Sequence, residues 1–151
     1  MPSHQIRPLA LCVFHHEGRI LVNEIHDRVK NQTFGRPLGG GIEFGETSAQ
    51  AIQREIREEL GLEITNLHLV GTLENIFTHL GTPGHEIVQV YDGTFVDGSA
   101  YEKSCLPGRE SDGEPFNAYW RGREHFSKNL PLYPDGLAEL LVRNSLFKEQ
   151  A

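Results

Sequence analysis

The segment from Gly40 to Leu62 reads GGIEFGETSAQAIQREIREELGL and carries the sharpest structural punctuation in the chain. Thr47 and Gln50 form a T-x-x-Q capping box, in which each side chain satisfies a free amide of the other at a helix N-terminus. From there to Leu60 no Pro or Gly interrupts the sequence, and Gly61 supplies a C-terminal stop because it takes left-handed backbone without strain. The spacing predicts a helix from Thr47 to Leu60. Ala49, Ile52, Ile56 and Leu60 recur at three- and four-residue intervals, an apolar stripe that docks on a sheet.

Another flank of the same helix is acidic. At about 100° per residue, Glu55, Glu58 and Glu59 fall within about 100° of arc. Like charges at that spacing cost a few tenths of a kcal/mol per pair, so the arrangement needs compensation. Arg54 and Arg57 could provide it through local ion pairs, leaving a solvated charged face. A divalent cation could also provide it. Hard oxygen ligands suit Mg²⁺, with Mn²⁺ as a substitute, and Mg²⁺ keeps waters and completes its shell from substrate phosphates.

The order Gly40, five residues, Glu46, seven residues, then Arg54-Glu55-Ile56-Arg57-Glu58-Glu59-Leu60-Gly61-Leu62 resembles the Nudix box G-x5-E-x7-R-E-U-x-E-E-x-G-U at every fixed position. This resemblance implies an αβα sandwich and a pyrophosphohydrolase. It implies that Glu55, Glu58 and Glu59 bind the metal with the Gly40 carbonyl, and that Arg54 orients the acidic side chains. The glycines at 39 to 41 independently allow backbone to approach a ligand closely. Glu46, just before the helix, is read as a supporting residue that ties the loop to the helix, where the dipole favours a carboxylate.

Outward from this segment, Ile6 to Phe14 and Ile20 to Ile25 are apolar runs separated by Glu17-Gly18 and read as a β-hairpin. Thr33 to Leu38 reads as a short strand ended by Gly39-Gly40-Gly41. Leu67 to Phe77 and Ile87 to Val96 read as longer strands that pair through a Gly81-Thr82-Pro83-Gly84 turn. Ser99 to Glu114 is polar and reads as a long loop, and Phe116 to Arg121 resumes strand character. Asp135 caps a last helix whose apolar side is Leu137, Leu140, Leu141 and Leu146. The expected class is α+β, a mixed β-sheet between helices. Residues 1–151 are expected to form a single domain with its core at about residues 6 to 147.

Composition narrows the function. A chain of 151 residues is one ordinary domain in length, and 38% hydrophobic with 23% charged residues is the balance of a soluble protein. The formal charge of −7 and the scattered basic residues disfavour long nucleic acid as a partner, so RNA decapping ranks low, and an acidic protein that handles phosphates needs a metal. Cys12 and Cys105 show no zinc or disulfide spacing. No apolar run is long enough to span a bilayer and no leader is evident, so the cytoplasm is expected and a membrane partner is not. The family resemblance admits a homodimer.

The expected reaction is Mg²⁺-dependent hydrolysis of a phosphoanhydride in a nucleoside diphosphate derivative, either an NDP-X compound or a modified NTP. The base that takes the water proton is a box glutamate, Glu55 or Glu58, ahead of Glu86, Glu110 and Glu114. Glu114, at the end of the polar loop, is the best candidate outside the box. The competing reading is a non-catalytic nucleotide-binding module, against which the intact set of Arg54, Glu55, Glu58 and Glu59 argues. Neither a proline about fifteen residues after the box nor a tyrosine about sixteen after it marks a substrate subgroup: Phe77 and Thr78 stand near those places, and the next proline is Pro83. Phe77, Tyr91, Phe95, Tyr119 and Trp120 could stack on a base, although core packing is the simpler role for aromatics on strands. His15-His16, His79 and His85 lack metal-ligand spacing, and His85-Glu86 at a strand entrance is the one pair that draws notice.

Overall fold

The computed structural model of the chain describes residues 4–147. Its central strand, β1 (Ile6–Val13), is apolar on both faces: Leu9, Leu11 and Val13 enter one core, Ala10 and Cys12 the other. A strand buried on both sides needs cover on both sides. The first helix, α1 (Ser48–Leu60), closes the Ala10 and Cys12 face with Ala51, Ile52 and Ile56. The second, α2 (Leu137–Arg143), closes the other with Leu137, Leu140 and Leu141. The α+β class with helices on opposite faces is thus the one expected from the sequence.

Between the helices lie two sheets where one was expected. In the first, β1 is flanked by β5 (Leu38–Gly41), antiparallel, and by β7 (Thr82–Phe95), parallel, with β6 (Ile64–His79) at the far edge. The second is antiparallel and joins β2 (His15–His16), β3 (Arg19–Asp27), β9 (Pro115–Gly122) and β8 (Cys105–Arg109), with β4 (Gln32–Arg36) also paired to β3.

This topology corrects the expected hairpin of Ile6–Phe14 with Ile20–Ile25. Glu17 and Gly18 do reverse the chain, at φ 54° and 80°. Pairing across them stops at His15 with Ile20, because β1 pairs along its whole length with β7 in the other sheet.

Helix α1 is built as its sequence specifies. Thr47 Oγ1 accepts from the Gln50 amide at 3.1 Å, Gln50 Oε1 accepts from the Thr47 amide at 2.8 Å, and Gly61 closes the helix at φ 68°. The expected Thr33–Leu38 strand is broken at Pro37, which has no N–H to give a ladder, and the glycine triplet forms most of β5 rather than ending a strand. Gly39 needs its glycine, since at φ 152° a Cβ would stand 2.0 Å from the Ala10 carbonyl oxygen of the neighbouring strand.

Three further expectations shift. The paired strands β6 and β7 turn through two residues, Leu80-Gly81 at φ 51° and 80°, the positive pair that a tight hairpin requires, and Thr82 to Gly84 already belong to β7. The Ser99–Glu114 segment is no long loop, because Cys105–Arg109 forms β8 and pairs with β9. Finally, α2 follows Gly136 with no side-chain cap from Asp135, and Leu146 lies beyond the helix end yet is buried in the same core. Among the described residues no helix is long and apolar enough to cross a membrane.

Candidate functional site

Arg54 is the hub around which the acidic residues are arranged. Its Nη2 donates to Glu46 Oε1 at 2.6 Å and its Nε to Glu46 Oε2 at 3.1 Å, a bidentate pair that ties the loop before α1 to the helix. The same guanidinium donates to the Gly41 carbonyl at 2.9 Å, to Glu55 Oε1 at 3.0 Å and to Glu58 Oε2 at 3.4 Å. The Arg54 hydrogen bond, seconded by the Glu43 amide, holds Glu46 below the usual carboxylate range, and Glu46 raises Arg54 in turn. Arg57 is engaged elsewhere, on Glu63 at 2.7 and 2.9 Å. Arginine pairing therefore offsets Glu55 and Glu58 and leaves Glu59 out.

Glu59 is the exception on the helix. Its Oε1 is buried without a hydrogen-bond partner. Burial, reinforced by the charges of Glu55 and Glu110, pushes its carboxyl up to about 8, while Arg36 and the Gly39 amide pull the other way. An orphaned buried carboxylate oxygen is costly unless something absent from the bare protein satisfies it.

Across from the helix, β5 offers backbone. A Cβ on Gly40 would stand 2.5 Å from the Glu55 carboxyl carbon and 2.6 Å from both its oxygens, so only glycine lets that carboxylate lie against the strand. Glu55, Glu58, Glu59 and the glycines form one wall of a cleft of about 520 Å³. The same cleft is lined by Arg7, Arg36 and the tip of the β8–β9 hairpin, Arg109 to Ser111. Acidic and basic side chains lining one cleft suit a cation together with an anionic ligand, which resolves the conflict between phosphate binding and a charge of −7.

The donors present fit a divalent cation of the Mg²⁺ type: hard oxygens, one of them unpartnered, beside a backbone held free of side chains. Among the described residues no three His, Cys, Asp or Glu side chains close into a metal cage.

Of the outside carboxylates named from sequence, Glu110 reaches the cleft. Asn23 Nδ2 donates to Glu110 Oε1 at 3.1 Å, and the Glu110 charge is felt at Glu59. Glu114, ranked first outside the box, is not among the residues lining the cleft, although the Glu110 amide donates to its carbonyl across the hairpin tip. An Asp-Gly pair is a hairpin signal, so a closer reading of that turn could have favoured Glu110. Arg7, Arg36, Arg109 and Asn23 carried no signal, since each stands alone on a strand or at a strand end.

A narrower cavity of about 210 Å³ adjoins the cleft and shares Arg7, Ile25 and Arg36 with it. Phe77 lines this cavity with Phe34 and Tyr133, whose rings are 5.2 Å apart. Tyr91, Phe95 and Trp120 pack in the core beneath α1, and Tyr119 lies under the Arg121 guanidinium at 4.7 Å. Glu86 also lines the cavity, away from the box glutamates, whereas His85 faces the opposite side of the sheet. His79 stands 3.6 Å from Asp27, and His15 is 3.2 Å from Asp92 at the other end of the sheets. Cys12 and Cys105 are free thiols.

The family model for the NUDIX domain matches residues 4–130. A Danio rerio protein described as an oxidized purine nucleoside triphosphate hydrolase is 28% identical over 118 residues, 74% of this chain and 71% of its own length. The Mus musculus protein of the same description is 31% identical over 85 residues, and the match spans 55% of this chain and 53% of that protein. An NAD-capped RNA hydrolase of Pseudomonas aeruginosa shares 43% over 42 residues, 28% of this chain and 15% of that protein, so that likeness is confined to a short segment. Among solved structures, the MutT NUDIX hydrolase from Burkholderia pseudomallei superposes with a TM-score of 0.63 at 20% identity over 91% of this chain and 97% of that one. The NUDIX hydrolase from Nitrosomonas europaea gives a TM-score of 0.53 at 16% identity over 96% and 82%. Likeness at such identities is likeness of fold.

Proposed function

Since the chain belongs to the Nudix family and is a pyrophosphohydrolase of that family, we propose that it hydrolyses, with Mg²⁺, a pyrophosphate bond in a nucleoside diphosphate derivative, an NDP-X compound or a modified NTP. The observation that carries this reading is the unpartnered, buried oxygen of Glu59 next to Glu55 and the bare Gly40 backbone. The chain is taken as one domain acting in the cytoplasm on a small nucleotide, with light scattering as the test for a homodimer. The purine nucleoside triphosphate hydrolases among its relatives support the triphosphate branch.

Glu55, Glu58 and Glu59, with the Gly40 carbonyl, would hold the ion. Mg²⁺ there, or Mn²⁺ in its place, would supply charge to neutralise phosphate oxygens and would make water more acidic. Arg54 keeps Glu55 and Glu58 in place through its hydrogen bonds, and Glu46 keeps Arg54 in place. Arg7, Arg36 and Arg109, which also line the cleft, meet the anionic chain of phosphates. The proton of the attacking water passes to a carboxylate of the cleft, Glu58 or Glu55 first and Glu110 after them, with Glu110 taking the outside place that sequence assigned to Glu114.

The test is a screen of the purified protein with Mg²⁺ against modified dNTPs, ADP-ribose, dinucleoside polyphosphates and nucleotide sugars. Release of pyrophosphate or of a monophosphate product identifies the scissile bond. Replacing Glu58→Gln should lower kcat at least about 100-fold with the fold intact. Undiminished turnover in that variant, or no phosphoanhydride cleavage by the parent protein, would sink the reading.

A further inference from the structure

Strand β6 is the far edge of its sheet, and it is guarded less than the other outer strands. On β4 the Gly35 amide donates to the Pro131 carbonyl and the Gly35 carbonyl accepts from the Tyr133 amide, both at 2.9 Å. Strand β8 carries Pro107, and β5 is only four residues long. The first half of β6 is irregular, with register shifts between Thr65 and His68 and between Leu69 and Gly71, and such bulges blunt an edge by twisting it. From Thr72 to His79 the strand runs in regular register with β7. That stretch holds no Pro, Lys or Arg, and Glu74 is its one acidic residue. Among the described residues its main chain bonds to β7 alone, which leaves the outward N–H and C=O groups open.

The face beside this open edge is apolar. His85 on β7 pairs with Ile6 on β1 and with Ile76 on β6, which makes a rung on the same face as Ala10 and Cys12. Helix α1 covers that face at Ala10 and Cys12 and leaves this end bare: Ile76 is 71% exposed, Ile6 56% and Ile87 39%. The next rung, Arg7, Glu86 and Asn75, points the other way, into the 210 Å³ cavity.

The edge is complementary to itself. Identical antiparallel strands related by a two-fold axis normal to the sheet keep like faces together. An axis at Glu74 would set two carboxylates directly opposite, where like charges destabilise the pair. An axis at Asn75 would set the Glu74 carboxylate against Ile76. An axis at Ile76 sets Ile76 against its own copy, with Cβ atoms about 5 Å apart, and Glu74 against the Thr78 hydroxyl, which can donate to it. It also carries the apolar face of Ile6, Ile87 and Ile76 on into the second copy. On the opposite face it sets Asn75 against Phe77, and since both line the 210 Å³ cavity, each copy adds to the wall of the other's cavity.

We propose that Leu73–His79 pairs antiparallel with the same segment of a second copy of this chain about a two-fold axis at Ile76, joining two four-stranded sheets into one continuous sheet. Such a contact is isologous and closes at two copies. Its attraction is apolar contact and main-chain hydrogen bonding, set against the mutual repulsion of two chains of charge −7.

Sedimentation equilibrium of the intact chain from about 1 to 300 µM tests the pairing, with a monomer and a dimer expected and nothing larger. Raising the salt from about 0.01 to 0.15 M should tighten the dimer, because it screens the repulsion. Ile76→Lys should weaken it at least about 30-fold and leave the melting temperature of the monomer within about 2 °C, since the side chain it replaces is exposed. In a Cys105→Ser background, Ile76→Cys should cross-link to a covalent dimer under mild oxidation. Leu69→Cys, also exposed, should not, because seven residues from the axis the two copies of that position stand about 45 Å apart. A parent that stays monomeric, association weakened by salt, growth beyond two copies, or a dimer that survives Ile76→Lys would overturn the proposal. If Ile76→Lys does not fold, the two cysteine variants decide, and cross-linking at neither position or at Leu69→Cys alone overturns it.

Discussion

Asp27, at the end of β3, and Glu59, near the end of α1, are carboxylates withdrawn from water in two regions that treat them in opposite ways. Asp27 accepts from three backbone amides at 2.9 to 3.1 Å and ties the β3–β4 turn to the β6–β7 turn. The Leu80 amide, with those of Lys30 and Val29, holds it below the usual carboxylate range. Glu59 keeps one oxygen without a partner, and burial with nearby negative charge pushes it up to about 8. The first arrangement is complete within the protein, as a structural group should be. The second is left incomplete by the protein itself, and such deficits gather where function is.

The comparison breaks most visibly in turnover. Glu59→Gln should lower kcat by about 100- to 1000-fold while leaving the metal-free protein at least as stable as its parent. A variant with normal turnover and a lowered melting temperature would make Glu59 structural like Asp27. Arg54→Ala should cost about 10- to 100-fold in activity and raise the Mg²⁺ concentration needed for half-maximal rate, because Glu46, Glu55 and Glu58 lose their shared donor. If only the melting temperature moved, the hub would have no part in arranging the ligands.

Asp27→Asn should act on stability, lowering the melting temperature by about 5 °C as backbone donors lose an acceptor. Its kcat should stay within about threefold of the parent, since Asp27 lines the narrow cavity and not the cleft of the box glutamates.

The finest distinction is in pH dependence, where the two groups have opposite signs. Asp27 is lowered in the fold, so its contribution is present above its unfolded value and lost as pH falls through the acid range. Glu59 is raised from 4.5 to about 8, so the metal-free folded protein holds a proton that the unfolded chain releases, and stability declines as pH climbs between those values. Melting curves without metal should show both limbs. Asp27→Asn should flatten the acid limb, Glu59→Gln should flatten the limb toward pH 8, and saturating Mg²⁺ should do the same as Glu59→Gln. A limb toward pH 8 that survives Glu59→Gln would assign it to another group.

Legibility in the sequence followed the range of the contacts. The α1 cap and its stop at Gly61 depend on residues within one or two turns and are found where their spacing put them, while the apolar stripe holds at Ile52 and Ile56 with Ala51 fully buried and Ala49 and Leu60 only partly so. The pairing of β6 with β7 was also legible, being a hairpin of neighbours, although its turn was placed too late. The partner of β1 was not: its parallel match with β7 spans more than seventy positions, and nothing local to Ile6–Val13 points there. The β8 strand was hidden because Pro107 and Gly108 argue for a loop, while an outer strand in the sheet tolerates both.

By itself the sequence determined the acidic helix: its ends, its buried stripe, and which glutamates share a flank, because helical geometry fixes neighbours three and four residues apart. It also raised the expectation of a cation, through the close spacing of those carboxylates. Only the tertiary structure decided what faces that helix, since Gly40, Arg36 and Glu110 reach it from separate strands and a hairpin tip. It likewise decided that Arg7, Glu86 and Asn75 form one rung, for the register between strands distant in the chain is set by the packing of whole faces and is written in no single segment.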